Sequence, residues 1–113
     1  MEAAGSSKSL NGKPIVLEQT VILDGKSYHG VQYHLGNAPL LILRAKSGYV
    51  ACSYVDKNAC DRLGDIAAFV SGVRCFDDMV KAKIKHATQW AEDLGIREGM
   101  SVKKALELMD AEV

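Results

Sequence analysis

The sequence predicts an α+β domain: an antiparallel or mixed sheet of about five strands, made of two hairpins plus one buried strand, packed against two or three helices. Three observations carry this. β-rich runs flank tight turns at Asp24-Gly25 and Ser47-Gly48 in the first half of the chain. In the second half Met79, Val80, Ile84, Ala87, Ala91 and Leu94 recur at helical spacing. A regular β-α-β alternation is missing, which argues against a doubly wound nucleotide-binding fold.

The elements follow in order. Residues 1–13 are small or polar and read as a disordered lead-in, leaving 14–113 as a single domain, and the 48% hydrophobic content of the whole chain is enough for one core. Residues 15–23 and 27–35 form the first hairpin around Asp24-Gly25. After Gly36-Asn37-Ala38-Pro39, the unbroken apolar start of residues 40–46 suits a central strand, and Ser47-Gly48 turns it into a partner over 49–55. Asp56 caps a short helix that Gly64 stops. Residues 66–70 are a compact apolar run and read as a buried strand. A helix then follows Arg74 and ends at Gly95, with a break near Ala82-Lys83 equally compatible with the pattern. Ser101 caps a last helix in which Val102, Ala105, Leu106 and Met109 share one face.

Composition removes several function classes. Fourteen Lys+Arg balance fourteen Asp+Glu, so no global field draws the chain to nucleic acid or to an anionic membrane. The longest apolar run, residues 39–43, is far short of the roughly 20 needed for a membrane span. Cys52, Cys60 and Cys75 are odd in number and lack C-x-x-C spacing, which fits reduced thiols in a cytoplasmic protein better than a disulfide framework or a zinc knuckle. No cofactor is implied.

Three stretches carry a resemblance. Gly48-Tyr49-Val50-Ala51-Cys52, the Ser71-Gly72-Val73-Arg74 turn with the following Phe76-Asp77-Asp78-Met79, and the segment with Ala91, Leu94-Gly95-Ile96, Gly99-Met100-Ser101 and Ala105-Leu106 resemble the YunC-like family. That family is a small domain of unknown function from bacteria and archaea. The resemblance spans about residues 39–109 and implies a compact cytoplasmic α+β domain, with no activity to carry over. Two positions depart from it. Ser53 stands where the family favours glycine, and Cys75 stands where it favours a hydroxyl helix cap. The thiol is a poorer cap, although Asp78 at the third helical position can still accept from backbone amides.

Each candidate residue has a structural reading beside its chemical one. Cys52 shares a strand face with Val50 and Tyr54, so a buried inert thiol is the plain reading; a nucleophile would need His29, His34 or Arg74 folded over it. His29 and His34 are an odd number of residues apart in a strand and fall on opposite faces unless Gly30 makes a bulge, while His86 reads as a surface residue of a helix. No metal site is assigned. Ser71 lacks the G-x-S-x-G frame of a nucleophile elbow, and the chain has no phosphate-binding glycine loop of the Walker or dinucleotide type.

The turn at Ser71, Gly72 and Arg74, with Asp65 nearby in sequence, has the components of a small-anion site before a helix. The same helix start carries Asp77 and Asp78, whose charge opposes a bound anion. The turn therefore reads first as a corner, with Arg74 paired either to a ligand or to Asp65 or Asp77. The functional expectation is a non-enzymatic module that binds a small anionic ligand or a partner protein and forms a homo-oligomer, using outward tyrosines among Tyr28, Tyr33, Tyr49 and Tyr54. The alternative is a small enzyme with Cys52 as nucleophile and Arg74 orienting an anionic substrate.

Overall fold

A computed structural model describes residues 9–10 and 13–110. Its elements are β1 (Ser9–Leu10), β2 (Lys13–Pro14), β3 (Val16–Leu23), β4 (Lys26–His34), β5 (Pro39–Arg44), β6 (Tyr49–Cys52), α1 (Lys57–Leu63), β7 (Ala67–Val70), α2 (Phe76–Lys81), β8 (His86–Ala87), α3 (Gln89–Glu92) and α4 (Val102–Asp110). Most of the lead-in over 1–13 lies outside the described residues; within it Ser9–Leu10 pairs with Lys13–Pro14. The remaining strands form a six-stranded sheet in the order β3-β4-β5-β6-β7-β8. Only β6 and β7 run parallel; the other neighbours are antiparallel. The α+β class holds, with β8 the strand beyond the five expected.

Local chemistry explains most elements. Asp24 and Gly25 both take positive φ (51° and 79°), the requirement of a type I′ turn whose twist matches the flanking strands. Gly30 makes no bulge, since β4 pairs without interruption on both sides. The space it leaves is filled instead by Phe76, because a Cβ there would lie 2.8 Å from the ring. Gly48 is needed for closeness: a Cβ would come within 2.3 Å of the Ile66 carbonyl oxygen where β6 passes the start of β7. Asp56 caps α1 by accepting from the Asn58 N–H at 3.2 Å, and Gly64 closes the helix in the left-handed conformation.

The long helix expected after Arg74 is interrupted. α2 ends at Lys81, and Ala82 turns extended. The chain then follows the outer edge of β7, where Lys85 N–H donates to Phe69 O (2.8 Å) and Thr88 N–H to Ala67 O (2.9 Å). The helical spacing misled because Ile84, Ala87 and Ala91 are all buried in the strand-turn-helix path as well. Satisfying the backbone groups at the edge of β7 outweighs continuing the helix. Thr88 supplies the corner: its hydroxyl accepts from Ala91 N–H (3.2 Å) as the cap of α3.

The sheet separates two cores. Leu41, Leu43, Val50, Cys52, Ala68 and Val70 face α2 and α4, where Met79, Leu106 and Met109 complete a buried cluster. A smaller cluster of Ala51, Cys60, Ala67 and Phe69 joins α1 to the opposite side. Among the described residues no helix is long and apolar enough to cross a membrane.

Candidate functional site

The parallel pair creates the site. Tyr49 is level with Ala67 and Cys52 with Val70, so the chain leaves β6 and β7 at the same end while α1 carries the crossover between them. Segments diverging from the carboxyl ends of parallel strands open a crevice. Here it is a cleft of about 380 Å³ lined by Pro39 from the start of β5, Cys52, Ser53 and Tyr54 after β6, and Gly72 and Arg74 after β7.

Among the described residues, Arg74 is the one charged side chain lining this cleft. Its Nη1 donates to the Asn37 carbonyl at 3.3 Å, and among the described residues its guanidinium makes no ion pair with a carboxylate. Asp77 is turned to Lys81 (3.7 Å), and Asp78 accepts from the Arg74 backbone N–H (3.0 Å). Cys75, at the N-cap of α2, makes no capping hydrogen bond through its thiol, so Asp78 supplies the substitute one residue farther back. Positive charge is thus left in the cleft with its countercharges engaged elsewhere.

Of the residues expected at this turn, Gly72 and Arg74 line the cleft, Ser71 is exposed beside it, and Asp65 is not in it. Asp65 precedes β7 whereas Ser71 follows it, a separation of roughly 15–20 Å at strand rise. Its carboxylate accepts from the Tyr49 O–H at 2.5 Å, and Tyr49 also meets Cys60 Sγ at 3.3 Å. Burial, followed by the bond to Asp65, pushes the Tyr49 hydroxyl well above the ordinary tyrosine range.

Cys52 does share the cleft with Arg74. It is nevertheless only 5% exposed, with the Leu41 N–H donating to Sγ at 3.4 Å. No histidine lines the cleft. His34, the nearest along the sheet, lies across β5 from β6, about 10 Å away by strand spacing. It contacts Gln32 (3.3 Å), whereas His29 contacts Glu18 (3.4 Å) from the other face of β4. His86 is exposed, on β8 rather than on a helix.

A second, broader recess of about 750 Å³ escaped the sequence reading. Lys26, His29, Arg44 and Lys46 line it, together with Ser27 and Asp110. It is built by register: His29 stands beside Arg44, and α4 delivers Asp110, whose two oxygens take the Tyr28 O–H (2.9 Å) and the Lys46 backbone N–H (3.2 Å). No local signal links residues 26–29 to residue 110.

The chain has relatives that share this architecture. It is 29% identical over 90 residues to the uncharacterized protein YunC of Bacillus subtilis (strain 168), covering 76% of this chain and 89% of that protein. The crystal structure of a protein of unknown function, TA1206 from Thermoplasma acidophilum, is 34% identical and superposes with a TM-score of 0.78 over 83% of this chain and 92% of that one. The family described as a domain of unknown function (DUF1805) matches residues 51–109, a span that contains Cys52, both exits from the parallel strands, α1, α2, α3 and all of α4 but its last residue. Because the family model matches more than half of the chain, the chain belongs to this DUF1805 family of domains of unknown function.

Proposed function

We propose that the protein is a non-enzymatic binding module that takes a small anionic ligand, a carboxylate or a phosphate ester, in the cleft at the carboxyl ends of β6 and β7. The observation that carries this reading is Arg74: a cation at the mouth of a cleft with no carboxylate among its described lining residues. Ser53 and Tyr54 add hydroxyl groups, and the half-exposed Tyr54 ring (49%) offers a flat apolar wall. An anion placed there faces a guanidinium that now holds one backbone carbonyl at 3.3 Å.

The enzyme reading has one observation in its favour, that Cys52 and Arg74 share the cleft. Against it stand the burial of Cys52 and the absence of a histidine from the lining residues.

Thermal denaturation against a panel of phosphates and small carboxylates tests the proposal. A ligand at a hundred times its Kd stabilises the native state by about 2.7 kcal/mol, and Arg74→Ala removes the stabilisation. Equal shifts in the parent and in Arg74→Ala sink the assignment, and loss in Arg44→Ala alone moves the ligand to the basic recess. Alkylation separates the two readings of Cys52. The exposed Cys75 labels first, and labelling of native Cys52 as fast as Cys75 would favour the enzyme.

A further inference from the structure

β3 is the outer strand of the sheet. Its eight residues pair with β4 on one side, and among the described residues no strand pairs with the other. Long sheet edges are ordinarily guarded by lysine, proline, a bulge or brevity. β3 has no lysine, proline or bulge; its one charge, Glu18, is turned to His29 of β4, and its ladder to β4 runs unbroken through eight pairs. Leu17 (38%) and Ile22 (59%) stay exposed on it.

The hairpin determines which backbone groups point outward. In a two-residue type I′ hairpin the flanking pair, Leu23 and Lys26, exchanges both hydrogen bonds, and bonded and non-bonded pairs then alternate. Leu23, Val21, Gln19 and Leu17 therefore bond to β4, a phase confirmed beyond the strand by the His34 N–H donating to Ile15 O at 2.8 Å. Ile22, Thr20, Glu18 and Val16 present their N–H and C=O groups to the outside.

Read outward from Gln19, the sequence is nearly its own mirror: Glu18 against Thr20, Leu17 against Val21, Val16 against Ile22, Ile15 against Leu23. We infer that β3 pairs antiparallel with β3 of a second copy of this chain about a twofold axis at Gln19, merging two six-stranded sheets into one. In this register the outward groups of residues 16, 18, 20 and 22 bond one another, and Gln19 faces its own copy as a non-bonded pair. Every apolar side chain meets an apolar one on both faces, and Glu18 meets a hydroxyl. Shifting the axis to Thr20 keeps the backbone bonds but sets Glu18 against Ile22 and Gln19 against Val21, so the side chains select the first register. The cleft lies several strands away, so its ligand is a separate question.

Sedimentation equilibrium gives a dimer dissociating by mass action. Thr20→Pro deletes an outward donor without taking a bond from the β3–β4 ladder, and two such donors are lost per dimer. The expected result is a rise in the dimer dissociation constant of roughly tenfold or more, with the far-ultraviolet circular dichroism of the fold retained. A second measurement leaves the edge backbone intact. In a Cys75→Ser background, Gln19→Cys cross-links to its copy under mild oxidation, because opposed non-bonded residues bring their Cβ atoms within disulfide reach. Thr20→Cys in the same background stays uncross-linked. A monomeric parent, a dimer indifferent to Thr20→Pro, or cross-linking through position 20 instead of 19 would each overturn the inference.

Discussion

Replacing Thr88 by valine tests the corner that interrupts the long helix. Thr88 is the one fully buried polar side chain among the described residues, with 0% exposure. Its hydroxyl donates to Asp65 O at 2.7 Å and accepts from the N–H groups of Ala67 and Ala91, both at 3.2 Å. Valine keeps the shape and deletes all three bonds. Loss of the α3 cap costs about 1 kcal/mol. Leaving the Ala67 N–H without this side-chain acceptor in a buried site adds about 1–3 kcal/mol, for a sum of about 2–4 kcal/mol. Thr88→Ser retains the hydroxyl and loses one buried methyl, at about 1 kcal/mol. Urea unfolding of the three proteins measures the difference as midpoints at unchanged slope. If the valine and serine variants unfold within about 0.5 kcal/mol of each other, the hydroxyl does not hold this corner, and the account of the broken helix is wrong.

Two further predictions concern pH and capping. Burial, together with bonds to Asp110 and Asp65, raises Tyr28 and Tyr49 above the ordinary tyrosine value. The unfolded chain therefore releases these protons first: the stabilisation is complete below about pH 10 and declines as pH rises toward the folded values. Unfolding free energies measured between about pH 8 and 11 should fall with pH, and less steeply for Tyr49→Phe; parallel curves would remove Tyr49 from the explanation. At the start of α2, Cys75→Ser replaces a thiol that caps nothing with a hydroxyl that can, and should stabilise by roughly 0.5–1 kcal/mol, read as a higher Tm.

Where one residue type dictates one conformation, the chain was legible. Asp24-Gly25 announced its hairpin, and Asp56 and Gly64 announced the limits of α1. Residues 82–88 were not, because burial at Ile84, Ala87 and Ala91 is compatible with a helix and with a strand-turn-helix alike. Thr88 was the signal that could have decided it, being a β-branched capping residue just ahead of Gln89-Trp90-Ala91-Glu92. Arg74 stood out in sequence because the corner did not require it. Its meeting with Cys52 depends on the parallel pairing of β6 and β7, which no local pattern encodes. Nearness along the chain groups Asp65 with Arg74, but the four strand residues of β7 carry the two apart.

The six strands lie across the sheet in the same order as along the chain. Each new strand can therefore dock on the one just formed, and no early strand waits for a distant partner, which shortens the chain loops that must close during folding. The exception is α4. Ser47 reaches forward to Met109, its N–H and O–H meeting the same carbonyl at 2.9 and 2.6 Å, and Tyr28 reaches to Asp110. Until that helix arrives, Leu41, Leu43 and Val50 lack the cover of Leu106 and Met109. A nascent chain can thus assemble its sheet progressively and still hold a sticky, uncovered face until the last helix closes over it.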